Sequence, residues 1–358
     1  MVIEIDGSFG EGGGQILRVS VALAALVGKP IKIRKIRAER SPSGIRPQHL
    51  TAIKAVAVLS RAKVKGLSIG SNELEFYPNS ISGGKFFFDS GTAASTTLIL
   101  QSLMPVMAFS REKTVVEIRG GTNNRWAPPV EYTRGVLLPT IAKTGFNVSV
   151  DLLKRGFYPK GGGLILASAE PIMRLKPLVL TELGAIQTIF GLSYSSNLPC
   201  HIVKRMAQSA NTALSKERLK EANIFLECFQ KKDPSTAASP GCGLILIVKL
   251  STGAIFGVDS LGEIGKPAES IGQDVAKRLC EQLHSGAPID KYLGDQLIPY
   301  IALANGRSEI KVKELTLHTI SCIHVAKAIL GVDFKIVGEL GKLSSIICNG
   351  IGFGRGDF

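Results

Sequence analysis

Histidine is the first residue type to weigh, because its side chain can act near neutral pH as a nucleophile or as a proton carrier. The chain of 358 residues has only five histidines. His318, in "KELTLHTISCIHVAKAIL", lies where a strand-like run gives way to a helix-like run. His49, His201 and His284 have no second reactive group close in sequence. His318 is therefore the candidate catalytic histidine, although a lone histidine is more often structural.

A run of three glycines marks the segment "RGFYPKGGGLI", residues 155–165. The residues on either side alternate like strands, which predicts a hairpin or a bulged connection. Pro159 fixes its own φ, and Gly161–Gly163 permit conformations that are closed to other residues. Three glycines indicate that a ligand or another backbone approaches closely, and a strained hairpin corner is the alternative.

A second triple glycine, Gly12–Gly14 in "DGSFGEGGGQILR", leads directly into a helix-like run. Free N–H groups and the helix dipole make such a junction a natural anion site. Glu11 beside it could hold a divalent metal ion that bridges phosphate oxygens. The segment is not a Walker A loop, because Gln15 and Ile16 follow the glycines where that motif requires Lys and Ser or Thr.

Arginines are concentrated in "IRKIRAERSPSGIRPQHLTAI", where Arg34, Arg37, Arg40 and Arg46 surround Gln48. Guanidinium groups suit bidentate contacts with phosphate, and a solvated basic face is the alternative. The whole chain carries a formal net charge of +14, which favours nucleic acid or nucleotide partners through phosphate neutralisation. Solubility alone could also account for that charge.

The elements that must position these residues follow an α/β pattern. Four stretches share one plan, a helix-length apolar run, a short turn and a β-branched strand: "LRVSVALAALVGKPIKIRKI", "TLILQSLMPVMAFSREKTVVEI", "YTRGVLLPTIAKTGFNVSVDL" and "DQLIPYIALANGRSEIKVKEL". Two more helix–strand pairs fit between or after them, as expected for repeated units with two helices on one sheet. Generic α/β alternation is the alternative. Residues 184–276 do not follow this repeated pattern, which predicts that they form an inserted domain.

Composition narrows the remaining possibilities. The six cysteines are scattered with no C-x-x-C pair, which indicates neither a zinc site nor a disulfide framework and predicts buried, reduced thiols. No apolar run near the start reaches the roughly 20 residues that a membrane-spanning helix needs. We therefore expect a cytoplasmic protein that has no membrane contact.

The motifs together resemble one known family. "RGFYPKGGGLI" is similar to the signature of the RNA 3'-terminal phosphate cyclases at every fixed position. The other motifs occur in the family's order: "EGGGQILR", "IRAERSPSGIRPQHL", "DSGTAASTTLILQSLMP", "GGTNNRWAPPVEY", "YLGDQLIP" and the histidine segment. The resemblance covers nearly the whole chain.

The resemblance implies a fold and a reaction. The implied fold is α/β (α+β), a large domain of repeated βαβαββ units similar to the enolpyruvyl transferases, formed by residues 1–183 and 277–358, with a small inserted α/β domain at 184–276. The implied reaction is ATP-dependent conversion of an RNA 3'-phosphate end to a 2',3'-cyclic phosphodiester, through a covalent histidine-AMP and an RNA-adenylate. It implies ATP, a divalent metal (Mg or Mn) and RNA as partners, and no stable protein partner.

The resemblance also implies roles for individual residues at matching positions. His318 matches the adenylated histidine, and Glu11 matches a carboxylate on the metal and phosphate side. Tyr292 would stack on adenine, with Pro128 a candidate for the opposite face. The residues implied to hold ATP are Gln101, Pro128, Tyr292, Leu293, Gly294, Asp295 and Gln296. Those implied to lie near the RNA end are Arg18, Arg37, Arg40 and Gln48.

Two departures and two rival functions remain. The family commonly has Thr-Asn-Ile shortly after the histidine, whereas this chain has Ser321, Cys322 and Ile323, which affects any polar support of the imidazole. Gly294 stands where alanine is frequent. One rival function is a non-catalytic, cyclase-like RNA-binding or ribosome-biogenesis factor, against which His318 argues. The other is an enolpyruvyl-type transferase, which would not be expected to carry the signature and "YLGDQ" together.

Overall fold

The fold, seen in a computed structural model that describes residues 2–357, is a mixed α/β arrangement of four four-stranded sheets. Three of these sheets repeat one strand order and one pattern of directions. In each of the three, the first two strands of a βαβαββ unit pair in parallel, and the last two form an antiparallel hairpin that adds to the second strand. The predicted α/β class with repeated βαβαββ units is confirmed.

The first unit has the strand order β1-β2-β4-β3. Its elements are β1 (Ile3–Asp6), α1 (Gly14–Val27), β2 (Ile31–Arg34), α2 (Pro47–Leu59), β3 (Lys63–Lys65) and β4 (Leu74–Tyr77). Helix α1 is apolar on almost all sides and is buried along nearly its whole length. Such a helix must be enclosed by other elements. It packs against one helix from each of the three units.

The second unit has the strand order β5-β6-β8-β7. Its elements are β5 (Gly84–Asp89), α3 (Thr96–Ala108), β6 (Thr114–Gly120), α4 (Val130–Tyr132), a π-helical turn (Thr133–Leu137), α5 (Leu138–Ala142), β7 (Val148–Lys154) and β8 (Gly163–Ala169). Ser95 caps α3 by accepting the backbone N–H of Leu98. The predicted hairpin at residues 155–162 joins the antiparallel strands β7 and β8.

The third unit has the strand order β9-β14-β16-β15 and contains an insertion after its first strand. Its elements are β9 (Val179–Leu180), α8 (Lys291–Leu303), β14 (Asn305–Val312), α9 (Leu317–Leu330), β15 (Phe334–Val337) and β16 (Ser344–Ile351). Asp290 caps α8 and Thr316 caps α9. These two caps fix where the helices that carry Tyr292, Asp295 and His318 begin.

The insertion supplies the fourth sheet, in the order β11-β10-β12-β13. Its elements are β10 (Ile186–Ser196), α6 (His201–Lys216), β11 (Asn223–Phe229), β12 (Gly241–Leu250), β13 (Ile255–Leu261) and α7 (Ala268–His284). Helices α6 and α7 pack together. Residue 184 lies just before β10, whereas residue 276 lies within α7. The exact division of the chain into domains stays a prediction.

The six helix–strand pairs read from the sequence are the pairs of the three units, two in each unit. The four stretches that share one plan are thus not four copies of a unit. Three of them are the first pairs of the units, α1–β2, α3–β6 and α8–β14, and the fourth is the second pair of the second unit.

The prediction that all cysteines are reduced thiols is wrong for two of them. Cys200 and Cys228 form a disulfide across 28 positions of sequence. Cys200 immediately precedes α6 and lies four positions after the end of β10, and Cys228 lies near the end of β11, which runs parallel to β10. The parallel pairing brings the two cysteines together, and sequence spacing could not show this. The other four cysteines are free thiols, three of them buried.

No helix between residues 2 and 357 has both the length and the apolar character needed to cross a bilayer.

Candidate active site

Glu11 and His318 face each other at the N-terminal ends of two packed helices, α1 and α9. Oε2 of Glu11 lies 3.7 Å from Nδ1 of His318. The imidazole is half-exposed, whereas this carboxylate oxygen is buried and has no hydrogen-bond partner among residues 2–357. A ring with one nitrogen toward a carboxylate and one edge toward solvent has the arrangement of an oriented nucleophile.

Ser321, one turn along α9, supports the loop that carries Glu11. Its hydroxyl oxygen accepts the backbone N–H of Glu11 at 3.2 Å and lies 2.8 Å from the Leu317 carbonyl oxygen and 3.3 Å from that of Phe9. Gly10 adopts a φ of +64°, and a Cβ on it would lie 2.5 Å from the serine hydroxyl. The departure from the family's Thr-Asn-Ile thus retains a hydroxyl, which holds the Glu11 loop and does not contact the imidazole.

His324 contacts the same loop at a second point. Its ring stacks on Phe9 with a centroid separation of 3.9 Å and an interplanar angle of 16°. Burial lowers the pKa of His324, and Asp6 opposes that effect. The role of His324 in this structure is packing on Phe9.

Two arginines control the charge around His318. Burial, Arg18 and Arg40 lower the pKa of His318, so its imidazole is neutral at pH 7. Arg40 contacts Oε1 of Glu11 and donates to its backbone carbonyl at 3.2 Å. Glu11 therefore presents one oxygen to Arg40 and keeps the other free beside His318.

Arg18 lies at the buried end of the site, where its side chain is only 6% exposed. It donates to Oε1 of Gln15 at 2.5 Å, and Gln15 donates to Asp295 at 3.1 Å. Burial raises the pKa of Asp295 to about 7, and the Arg18 charge opposes that rise. Sequence reasoning missed Gln15, although it directly follows the glycines at the start of α1.

Helices α1, α3 and α8, the first helices of the three units, line one small cavity. Four buried polar atoms around it have no hydrogen-bond partner among residues 2–357: Nε of Arg18, Oε1 of Gln101, Oε1 of Gln296 and the hydroxyl oxygen of Tyr300. Buried polar groups are nearly always paired in proteins, so this concentration indicates a ligand or ordered water. Tyr300 was not predicted from the sequence, because it lies two turns beyond Tyr292 in an apolar stretch.

Gln48 and Pro128 each form a hydrogen bond with the N-terminal end of α3. Gln48 accepts the backbone N–H of Ser95 at 3.1 Å, and Thr97 donates to the Pro128 carbonyl at 2.7 Å. Gln101 follows Thr97 by one helical turn, which links this end of α3 to the cavity. Helix α3 therefore carries Gln101 and binds Gln48 and Pro128, which lie on two other segments of the chain.

The remaining predicted residues lie on α8 and in the loop before α2. Tyr292 is half-exposed, with the ammonium of Lys291 5.4 Å from the centre of its ring. Leu293 is buried in the core, and a Cβ on Gly294 would lie 2.9 Å from Val312. Arg37 donates to the Pro42 carbonyl at 3.3 Å and contacts neither Gln48 nor His318 through a hydrogen bond.

His49 was dismissed on sequence, but the structure places it at the site. Its Nδ1 accepts the backbone N–H of Arg46 at 3.2 Å, and a Cβ on Gly14 would lie 2.1 Å from its Nε2. Burial and the charges of Arg18, Arg37 and Arg46 lower its pKa to about 3, which keeps it neutral. Its neighbours Gly14 and Arg18 are distant in sequence, so only its position beside Gln48 could have indicated it.

The hairpin corner of "RGFYPKGGGLI" is a close approach between protein segments. A Cβ on Gly161 would lie 2.7 Å from Cα of Ala93, and one on Gly163 would lie 2.5 Å from the backbone nitrogen of Gly156. Arg155 is almost fully buried and donates to Glu131 at 2.6 Å and to Glu227 at 2.5 Å. Both possibilities left open occur: Gly161 and Gly163 lie close to other backbone segments, and Gly161 and Gly162 adopt φ values of +64° and +70° at the hairpin corner.

Glu11 is the residue that fits a divalent cation. Residues 2–357 contain no group of three or more His, Cys, Asp or Glu side chains arranged to hold a metal ion. Glu11 instead offers a single free carboxylate oxygen. One carboxylate completed by substrate phosphates and water is a common way to bind Mg²⁺, so the donor set is compatible with a metal that arrives with a nucleotide.

Comparison with known proteins shows which family the sequence resembles. A family model described as "RNA 3'-terminal phosphate cyclase" matches residues 9–336. Proteins named RNA 3'-terminal phosphate cyclase are similar to the chain: that of Staphylothermus marinus is 42% identical over 98% of this chain and 99% of its own length. That of Caldivirga maquilingensis is 44% identical over 97% and 98%, respectively.

Among solved structures, the enolpyruvyl transferase NikO from Streptomyces tendae aligns with a TM-score of 0.39 and 10% identity. The alignment covers 98% of this chain and 50% of that one. This likeness is too weak to support a conclusion, and the similarity to enolpyruvyl transferases stays a prediction.

Proposed function

Because this chain belongs to the RNA 3'-terminal phosphate cyclase family and is an enzyme of that kind, we propose that it cyclises RNA 3'-phosphates with ATP, through an adenylated His318. The supporting observation is the 3.7 Å approach of Glu11 Oε2 to Nδ1 of the imidazole. A carboxylate on that side favours the tautomer with its proton on Nδ1 and leaves the Nε2 lone pair free.

The first step is attack of His318 on the α-phosphorus of ATP. A phosphorus–nitrogen bond forms, pyrophosphate leaves, and AMP is held as a phosphoramidate. A neutral imidazole is required for this attack. The lowered pKa of His318, caused by burial and by Arg18 and Arg40, keeps the ring neutral at pH 7. The same two arginines carry positive charge toward the phosphate on which negative charge develops.

The second and third steps move AMP to the RNA and then release it. An oxygen of the RNA 3'-phosphate attacks the phosphorus of histidine-AMP, which frees His318 and forms an RNA-adenylate. The adjacent 2'-hydroxyl then attacks the 3'-phosphorus, AMP leaves, and the cyclic diester forms. Adenylation provides the leaving group, and the vicinal position of the hydroxyl provides proximity.

The other predicted residues complete the proposed site. Gln101, Asp295 and Gln296 would hold the nucleotide, with adenine between Tyr292 and Pro128, and Gln48 and Arg40 would contact the RNA end. Glu11 would hold a divalent cation, which supplies charge neutralisation on the phosphates. Arg40, which pairs with Glu11 in the structure, is then available to the phosphate of the RNA.

The test is protein labelling with α-labelled ATP and a divalent cation, followed by a denaturing gel. His318→Asn removes the basic lone pair and should abolish both labelling and cyclisation. His324→Ala is the matched control, because that ring packs on Phe9 and should not be needed for labelling. Label that persists in His318→Asn would refute the assignment. If neither the parent protein nor any variant is labelled, the result would favour the non-catalytic RNA-binding function.

A bypass substrate separates the steps. RNA supplied as its 3'-adenylate no longer needs the histidine, so His318→Asn should cyclise it. Failure to do so, with the fold intact, would mean that His318 also acts in the last step.

A further inference from the structure

Two aromatic side chains are exposed to solvent on neighbouring loops. The indole of Trp126 is 96% exposed and the ring of Tyr158 is 78% exposed. Trp126 also has a φ of +64°, which is unfavourable for a bulky residue and persists only where the surrounding structure holds it. An exposed large aromatic ring in a strained conformation indicates a binding role, since burial does not explain it.

The two loops rest on one residue, Ala93. Asn124, two positions before Trp126, donates to the Ala93 carbonyl at 2.5 Å. Gly161, three positions after Tyr158, lies so close that a Cβ on it would be 2.7 Å from Cα of Ala93. The glycines of the "RGFYPKGGGLI" corner therefore bring the Tyr158 loop beside the Trp126 loop.

This pair of loops is continuous with the proposed site for the RNA end. Ala93 is two residues before Ser95, whose backbone N–H is bound by Gln48. Pro128, two residues after Trp126, is bound by Thr97. A polynucleotide whose 3'-phosphate lies near Gln48 could extend its preceding nucleotides toward Trp126 and Tyr158.

The charge around the loops suits a polyanion. Lys160, two positions after Tyr158, is exposed and forms no ion pair with a carboxylate of residues 2–357, whereas Arg125, next to Trp126, pairs with Glu263 at 2.7 Å. The chain as a whole carries a net charge of +14. Single-stranded nucleic acid is commonly bound by a basic surface that carries aromatic rings on which bases stack.

We propose that Trp126 and Tyr158 form a stacking platform for the nucleobases that precede the 3'-terminal phosphate of single-stranded RNA. The platform would retain polynucleotide substrates without reading their sequence, because every base has a stacking face. The proposal rests on RNA being the substrate and is independent of the histidine mechanism.

Fluorescence provides a direct binding test, because Trp126 is the only tryptophan of the chain. A ten-nucleotide RNA with a 3'-phosphate should quench it, and the quenching should be weaker at a given RNA concentration in Tyr158→Ala. ATP without RNA should leave the fluorescence unchanged. Quenching by ATP alone would overturn the proposal and assign the indole to the nucleotide site. No quenching by RNA would overturn it as well and would favour another partner for this surface.

Kinetics with two substrate lengths provide the second test. Trp126→Ala and Tyr158→Ala should each raise KM for the ten-nucleotide RNA by at least about fivefold, which corresponds to the low end of base stacking. They should leave KM for a dinucleotide 3'-phosphate within about twofold and should leave labelling by ATP unchanged. Phe225→Ala, which removes an exposed aromatic ring on β11, is the matched control and should have no effect. Equal losses for both substrate lengths, or none for either, would overturn the proposal. The test does not depend on which residue is adenylated. The stacking platform can therefore be refuted while the histidine mechanism holds, and the histidine mechanism can be refuted while the platform holds.

Discussion

Replacement of Arg155, the first residue of the glycine-rich signature, is expected to destabilise the protein more than replacement of any surface arginine. The side chain is 1% exposed and joins segments that are distant in sequence. It binds Glu131 and Glu227, it donates to Asn123 at 3.2 Å, and its guanidinium carbon lies 4.2 Å from the ring centre of Tyr194. Glu227 and Tyr194 belong to the inserted sheet, whereas Glu131 and Asn123 belong to the second unit.

The magnitude follows from what Arg155→Met leaves behind. Glu131 is 9% exposed, so its carboxylate would stay buried with only the Asn123 amide as a partner. Glu227 is more exposed and could regain water. Removal of one partner from a buried ion pair costs about 3–5 kcal/mol. With an unfolding entropy of about 2.1 cal/mol/K per residue over the whole chain, this corresponds to a fall in Tm of about 4–7 °C.

The assay is thermal unfolding followed by circular dichroism, with a surface ion pair as the control. Arg205 and Glu269 also make two short hydrogen bonds, but both side chains are 44% exposed. Arg205→Met should therefore cost at most about 1 kcal/mol, or little more than 1 °C. Glu131→Gln in the Arg155→Met background should recover part of the loss, because it removes the unpaired charge.

Two results would refute this reasoning. If Arg155→Met is as stable as Arg205→Met, the buried network does not hold the inserted sheet against the second unit. If the double variant is less stable than Arg155→Met alone, the uncompensated carboxylate is not the source of the loss.

Three further predictions concern the proposed reaction. Self-adenylation should fall in acid, because His318 reacts when neutral and its pKa is lowered. Asp295, whose pKa is raised to about 7, also titrates in the proposed site. Arg40→Ala removes a cation that lowers the pKa of His318, so the His318 part of the acid limb should move to higher pH; a profile that stays in place would contradict this. Ser321→Ala should slow self-adenylation and raise the divalent cation concentration required, because the Glu11 loop loses its hydrogen bond to the Ser321 hydroxyl. Ser321→Thr keeps a hydroxyl and should retain the parent values. Equal defects in both variants would point to packing instead. Tyr292→Ala should raise KM for ATP and Tyr292→Phe should leave it unchanged, since stacking needs only the ring; a defect in the phenylalanine variant would show that the hydroxyl is needed.

Local patterns predicted the elements of the fold well. The glycine run before α1, the hairpin between β7 and β8, and the helix–strand pairs are set by residues close to one another in sequence, and all of them occur in the structure. Periodicity and turn chemistry carry this information without any knowledge of tertiary contacts. The number of units was harder to read, because the two helix–strand pairs of one unit look alike.

Contacts between units could not be predicted from local patterns. Glu11 and His318 are more than three hundred residues apart, and only the packing of α1 on α9 brings them together. His49 was dismissed for lack of a reactive neighbour in sequence, yet it lies against the first turn of α1. The Cys200–Cys228 disulfide likewise depends on a strand pairing. Family resemblance, not spacing, supplied the residues of the site that belong to different units.

The repeated architecture explains why the proposed nucleotide site carries unpaired polar atoms. Arg18, Gln101 and Gln296 come from the first helices of the three units, and each has a buried atom with no protein partner among residues 2–357. Each such atom costs about 1–3 kcal/mol when it is left unpaired. The cavity exists only where the three helices meet, so this cost arises from the packing of the units and not from the fold of any one unit. A ligand with phosphate oxygens for the guanidinium and hydroxyl or amino groups for the glutamine oxygens would recover it. The cavity has a volume of about 10 Å³, which is room for at most one water molecule, so ordered water is the partner that these atoms can have without movement of the three helices.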